Sequence, residues 1–396
     1  MKRSPLLPIF LIVQVDVLGL TIMLPLLPFY AEKLGASPTV VGLLISTYAV
    51  CQLIAGPILG RMSDHMGRKP LLVVSQIGTF IGFLVLAAAN SLWLVFVARV
   101  IDGLTAGNLS LAQAYIADVT TPEDRAKSFG VIGIAFGVGF MIGPGISGYL
   151  AQFGLAYPIL VAAFLSAMSV VCTATLLPKA EPHEVESGAG PGGRRLNIFE
   201  WTAYAEYFAR PKLGALLWQF FFFAFSFALF TSGFALYAQR RYTLHGREFG
   251  VKEVGYVFLY VGFLGAILQG GLIGRLVKAL GERKLVWTGF GISAIGYGML
   301  AWTRTLGQLL FASTVNSCGG VLRPAVTSLI TQEAGRREQG VVLGLTQSIT
   351  SVSQIVAPII AGALIDRRHL STWALSMAGV AFLGMLVSLR SARTIG

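Results

Sequence analysis

Charge in this chain is confined to short stretches between long apolar runs, and that segregation limits the possible folds more than any other feature. The densest charged stretch of the first third is Gly60-Arg61-Met62-Ser63-Asp64-His65-Met66-Gly67-Arg68-Lys69-Pro70. A related stretch, Gly274-Arg275-Leu276-Val277-Lys278-Ala279-Leu280-Gly281-Glu282-Arg283-Lys284, follows 214 residues later. Both open on Gly-Arg, place a Gly seven residues on, and end in basic residues. The offset continues without a gap, since Gly130 matches Gly344, Pro144 matches Pro358 and Gly148 matches Gly362. A register held over roughly 90 residues marks two related halves.

Composition agrees with a chain solvated by lipid. Of its 396 residues, 55% are hydrophobic and only 12% charged, and mean hydropathy is +0.73. A soluble domain carries about 25% charged residues, so this chain cannot cover a water-facing surface. The net charge of +12 does not indicate nucleic-acid binding, because the basic residues lie mostly in short loops, as the positive-inside rule expects. Cys51, Cys172 and Cys318 fall in apolar runs and read as small packing residues, with no disulfide framework. Met1-Lys2-Arg3 imitates a signal peptide. The apolar run behind it is too long, contains Asp16 and lacks a small-residue cleavage site, so it reads as the first spanning helix.

A spanning helix needs about 20 mostly apolar residues, and twelve such segments are predicted. They cover roughly 7–30, 39–59, 70–89, 92–117, 128–152 and 156–177, then roughly 214–238, 253–276, 284–303, 306–331, 340–364 and 370–390. The expected architecture is an all-α polytopic membrane protein with two six-helix bundles, 1–177 and 214–396, joined by a cytoplasmic linker at 178–213. Parallel repeats of this kind are a transporter architecture, with the substrate path between the halves. Basic residues put both termini in the cytoplasm, although Arg240-Arg241 and Arg367-Arg368 run against the rule. The linker is rich in Gly, Pro and charge from Glu181 to Arg195 and reads as flexible. From Asn197 to Arg210 aromatic and charged residues mix, which predicts either a short helix in the membrane interface or an extension of the seventh helix.

These residues resemble the major facilitator superfamily, and in particular its tetracycline-type, twelve-helix drug:proton antiporters. The 60–70 loop is similar to the superfamily motif between helices 2 and 3, through Gly60, Arg61, Asp64, Gly67, Arg68 and Lys69. Asp16-Val17-Leu18-Gly19 and Pro25-Leu26-Leu27-Pro28 resemble the antiporter pattern of helix 1. Arg99 and Gly103 match the Arg-x-x-x-Gly of the proton-linked motif in helix 4. Gly130, Gly139, Gly143, Pro144 and Gly148 resemble the antiporter motif of helix 5, with Ser147 standing where the family usually has Gly. The resemblance implies an inner-membrane protein, if bacterial, that exports a small amphipathic organic compound or drug in exchange for protons by alternating access. It gives Asp64 a gating role, meeting the start of helix 11 when the cytoplasmic side is closed. Lys278 replaces that Asp in the second copy, so an asymmetric gate is expected.

Asp16 is the sharpest candidate on chemical grounds. An ionised acid near mid-membrane costs about 2.5–3.5 kcal/mol even on the lenient insertion scale, and a carboxyl able to gain and lose a proton there suits coupling. The alternative is a structural partner for a nearby donor. Arg99 and Asp102 lie three apart on one helical face, and the stripe continues through Ala106, Ser110 and Gln113. Neutralising each other and taking part in proton transfer are both open for Asp102, whereas the family motif favours proton transfer for Arg99. Substrate-cavity candidates are Gln113, Gln219, Tyr256, Asn316, Arg323, Gln347 and Gln354. Arg323 would either receive an anionic substrate group or snorkel. The Phe cluster of helix 7 is expected to face mostly lipid.

Three classes of function remain to be separated. A proton-driven exporter is favoured, and a proton-coupled importer or metabolite transporter on the same fold is the alternative. An enzyme or receptor ranks last. His65, His183, His245 and His369 all lie in loops without metal-ligand spacing, and no Walker-type loop is present. The expected partners are a small-molecule substrate, protons and the bilayer. No cofactor, metal or nucleic acid is expected, and the chain is expected to act as a monomer.

Overall fold

The structure is a computed structural model that describes residues 6–119, 122–177 and 201–395. The linker stretch from Glu181 to Arg195, expected to be flexible, and the N-terminal Lys2 and Arg3 lie outside the described residues.

Sixteen α-helices are present among the described residues. The first seven are α1 (Leu6–Lys33), α2 (Pro38–Met66), α3 (Arg68–Ala87), α4 (Leu92–Leu104), α5 (Asn108–Val119), α6 (Pro122–Leu150) and α7 (Ala156–Leu176). The chain continues with α8 (Trp201–Ala209), α9 (Pro211–Arg241), α10 (Val251–Ile267), α11 (Ile273–Leu280) and α12 (Glu282–Leu300). It ends with α13 (Leu306–Cys318), α14 (Leu322–Glu333), α15 (Gly335–Asp366) and α16 (Leu370–Ile395). Two short strands, β1 (Thr243–Leu244) and β2 (Arg247–Glu248), form a hairpin. Its two-residue turn needs positive φ at both central positions, which His245 (φ 52°) and Gly246 (φ 77°) adopt.

The 214-residue offset is written into the helix ends. Arg68 and Glu282, Leu92 and Leu306, and Ala156 and Leu370 are paired helix starts at that spacing. Gly67 and Gly281, the residues before α3 and α12, both take the left-handed region (φ 92° and 75°) that a side chain would resist. Ser91 and Thr305 precede α4 and α13, and Thr305 forms a full capping box with Gln308. The break between α4 and α5 at Thr105–Gly107 recurs as a 3₁₀ turn, Gly319–Val321, between α13 and α14.

Ten of the twelve predicted segments are helices long and apolar enough to cross a membrane. The other two are helical where expected but less apolar. Glu282, Arg283 and Lys284 crowd the start of α12, and Asn316 and Arg323 interrupt the α13–α14 stretch. Large apolar side chains nevertheless stand exposed all along the chain, including Trp93, Phe164, Ile295 and Phe311. Such a surface belongs against lipid. The α10–α11 stretch is interrupted by one π-turn, Leu268–Leu272, at Gly270-Gly271. α8 is a helix separate from α9, so the extension reading does not hold.

The chain divides into two compact units. Unit 1 is 1–185 with 238–240 and 248–262; unit 2 is 186–237, 241–247 and 263–396. In unit 1, α1 packs between α6 and α7, and α3 packs on α4 and α7. Its core gathers Ile9, Ile12, Val13, Leu71, Leu111, Tyr115 and Ile132. In unit 2, α12 packs along α16 and against α13 and α14. Phe220, Phe230 and Phe234 of α9 are buried there, in ring contacts that include Phe230 with Tyr297 (5.7 Å between centroids). Of the seven Phe expected to face mostly lipid, Phe220 and Phe230 are core, Phe221, Phe222, Phe223 and Phe225 are half-buried and Phe227 is exposed.

Candidate functional site

Asp16 stands half-buried on α1, where its carboxylate meets polar groups of its own unit. Ser169 Oγ on α7 donates to Oδ1 at 3.5 Å, and the Asn108 side chain also stands beside the carboxylate. Behind Ser169 stands Gln76 of α3, whose Nε2 donates to Ser169 Oγ at 2.8 Å. Ser166 Oγ in turn donates to the Gln76 carbonyl at 3.3 Å. A buried relay of donors thus runs from α3 through α7 to the acid on α1. Sequence reasoning missed Ser169, Gln76 and Asn108. The available signal was the spacing of Ser166, Ser169 and Thr173, which puts three hydroxyls on one face of an apolar helix.

Arg99 and Asp102 are both buried on α4, with 6% and 9% side-chain exposure, and pair at 3.3 Å. The guanidinium also lies 5.9 Å from the centre of the Tyr48 ring, a cation–π distance. The Thr79 side chain stands beside the Asp102 carboxylate. Arg99 keeps two sealed donors, Nε and Nη2, without a hydrogen-bond partner among the described residues. Buried polar atoms are rarely left so, and those donors are available to a second anion.

The expected stripe from Arg99 to Gln113 is corrected, because α4 stops at Leu104. Ser75 of α3 enters the break, where its Oγ donates to the Thr105 carbonyl and accepts from Gly107 N at 3.0 Å. Gly103 and Gly107 let α2 come close, since a side-chain carbon at either would meet Tyr48 and Cys51, or Leu59, within 3 Å. The freed backbone groups are satisfied locally and the helix restarts at Asn108. Ala106 lies in the break, Ser110 is exposed and Gln113 half-buried on α5.

The expected 60–70 loop is helical on both sides of Gly67, and there Arg68, the first residue of α3, gathers three partners. Its Nη2 pairs with Asp64, its Nε with Asp118 of α5 at 2.8 Å, and its Nη1 donates to Ser63 Oγ. Lys69 Nζ donates to the Ala174 and Leu177 carbonyls at 2.8 and 2.6 Å and so caps the end of α7. Gly67 alone makes the turn between α2 and α3, while Gly60 lies within α2, and Arg61 is exposed. The second copy keeps the contact but exchanges its polarity. Glu282, the counterpart of Arg68, accepts from Gln332, the counterpart of Asp118, at 2.9 Å, and from Ser328 at 2.6 Å.

The helix 5 glycines lie on α6, and two of its faces use them. Gly139 and Gly143 face Val17 and Thr21 of α1 so closely that a side chain would collide. Thr21 Oγ1 donates to the Gly139 carbonyl at 2.9 Å across that contact. Gly145 and Gly148 face α10 of the same unit, where a carbon on Gly148 would lie 2.9 Å from the Lys252 carbonyl. Pro144 lies between these faces and Gly130 lies earlier in the helix. Ser147 is fully buried with its hydroxyl unpartnered. α6 is thereby locked to α1 five residues beyond Asp16.

The cavity candidates fall in both units, Gln113 and Tyr256 in unit 1 and the other five in unit 2. Tyr256 is exposed on α10. In unit 2, Gln347 and Gln354 are exposed on one face of α15, and Arg323 is exposed just after the 3₁₀ turn. Asn316 is half-buried beside the Tyr297 hydroxyl. Gln219 is 2% exposed and lines a polar cavity whose walls include none of the other six.

Comparison with known proteins adds five likenesses. The sequence profile described as Major Facilitator Superfamily matches residues 9–358 and again 270–394. The class C tetracycline resistance protein of Escherichia coli is 28% identical over 365 residues, 91% of this chain and 89% of that one. Multidrug resistance protein 2 of Bacillus subtilis (strain 168) is 26% identical, covering 88% and 86% of the two chains. Among solved structures, the human organic anion transporter MFSD10 (TETRAN) superposes with a TM-score of 0.73 at 22% identity, covering 98% and 99%. The nucleoside transporter NupG superposes with 0.77 at 15%, over 98% and 99%.

Proposed function

The chain belongs to the major facilitator superfamily, and from that premise we propose that it is a proton-coupled exporter of a small amphipathic organic compound. It is an integral, multi-pass membrane protein; in a bacterium its place is the inner membrane, with both termini in the cytoplasm. The observation that carries the proposal is the acid on α1 with its donors from α7, beside the buried Arg99–Asp102 pair. The names of the tetracycline and multidrug resistance relatives support the direction and the substrate class.

In this reading Asp16 is the group that changes charge. The ionised form needs the Ser169 and Asn108 donors, whereas the neutral form can release them. Because Ser169 is tied through Gln76 to α3, a proton arriving at Asp16 changes contacts on three helices at once. Coupling needs such a differential interaction between two states of the bundle. Arg99, with two donors uncommitted, offers a second anion a place when Asp16 is neutral. Asp102 holds Arg99 in place. The Gly139 and Gly143 contacts keep α6 against this stretch of α1 and exclude water from one side of the acid.

The test uses everted vesicles energised by respiration. Adding the exported compound should release part of the proton gradient, and a protonophore should abolish uptake into the vesicles. A compound that instead enters intact cells with protons would indicate import on the same fold. Uptake unaffected by the protonophore would refute proton coupling.

A further inference from the structure

At one end of unit 2, where α9 and α12 begin and α14 and α16 finish, four helices enclose a cavity of about 140 Å³. That is several times the ~30 Å³ one water molecule occupies in the liquid. Its floor holds Gln219 and Ser388, 2% and 6% exposed. Neither side chain hydrogen-bonds another described residue, and their polar atoms are open to the cavity rather than sealed in protein. Its mouth carries Lys212, Arg283 and Glu333, none of them in an ion pair among the described residues. Two cations, one carboxylate, an amide and a hydroxyl therefore converge with their bonding capacity unspent. No proposed coupling residue takes part.

We propose that this cavity binds a phosphate oxyanion. Arg and Lys supply charge-assisted donors of the kind that phosphate selects, and the Gln219 amide and Ser388 hydroxyl add donors at depth. With Glu333 counted, the mouth carries one net positive charge, which matches the single negative charge of a phosphodiester. The mouth also lies where two apolar spans, Pro211–Arg241 and Leu370–Ser391, begin and end, the level of lipid headgroups. Leu216 and Val286 give the wall an apolar side. Both a phospholipid headgroup and soluble phosphate carry this chemistry, and the experiment separates them.

Purified full-length protein is titrated with phosphatidylglycerol, read by native mass spectrometry, and separately with inorganic phosphate, read by thermal shift. Lys212→Gln/Arg283→Gln and Gln219→Met should weaken the operative ligand about tenfold or more. Lys278→Gln/Lys284→Gln, which removes two exposed basic residues outside the cavity, should change nothing. Loss of phosphatidylglycerol alone assigns the site to a lipid, and loss of the phosphate shift alone assigns it to a soluble anion. If Gln219→Met fails to fold, the exposed pair still decides. Equal binding of both ligands by wild type and the Lys212/Arg283 variant would overturn the proposal.

Discussion

Removing one member of the Arg99–Asp102 pair should destabilise unit 1 far more than removing both. At 3.3 Å and an effective dielectric of 20, the Coulomb attraction is ~5 kcal/mol. Breaking a buried pair typically costs about 3–5 kcal/mol, because the remaining charge is left uncompensated. The two single variants should differ. Asp102→Asn leaves a cation that already has two unpartnered donors and retains only the Tyr48 ring. Arg99→Gln leaves an acid with the Thr79 side chain beside it and able to take up a proton, so it should be the milder change. The double variant removes both buried charges and should recover at least half of the larger loss. Thermal unfolding of the detergent-solubilised protein reads this directly. With roughly 2–4 °C per kcal/mol for a unit of this size, Asp102→Asn should lower the midpoint by about 6 °C or more. The cycle's interaction energy should exceed about 1 kcal/mol. Additive losses, or a double variant worse than either single one, would refute the account of the pair.

Three further outcomes follow from the packing and the loops. Gly143→Leu should cost about 1–3 kcal/mol by forcing α1 from α6, whereas Gly137→Ala, with open space around it, should be neutral or stabilising; melting of the two proteins compares them. Arg68→Lys keeps the charge but cannot reach Asp64, Asp118 and Ser63 together, so its melting temperature should fall nearly as far as that of Arg68→Ala. The bidentate Arg210–Glu338 pair, 39% and 35% exposed, is open to solvent and salt. Glu338→Gln should therefore cost less than about 1 kcal/mol, with a loss that shrinks further in high salt.

Much of the fold could be read from the chain because its signals are local or repeated. Gly67 and Gly281 stop their helices through backbone geometry alone, and the offset carries that stop from one copy to the other. The α4–α5 break could not be read so. It depends on Ser75 of another helix satisfying the interrupted backbone, and on glycines whose neighbours are distant in sequence. The same limit applies at the site. Asp16, Arg99 and Asp102 stand out as charges in apolar runs, but the groups around them, Ser169, Asn108, Gln76 and Thr79, are ordinary polar residues until folding brings them together. Gln219 illustrates the converse: a polar residue in a spanning helix invites a cavity assignment, but which cavity it joins depends on α12, α14 and α16.

The claim on which the rest depends is that Asp16 carries the proton. Its most direct test is Asp16→Asn in reconstituted vesicles, assayed in parallel for uphill, gradient-driven transport and for substrate exchange at equilibrium. Uphill transport should be lost while equilibrium exchange persists, because the amide keeps the shape of the site but cannot change charge. An Asp16→Asn protein that still concentrates substrate against its gradient would contradict the claim.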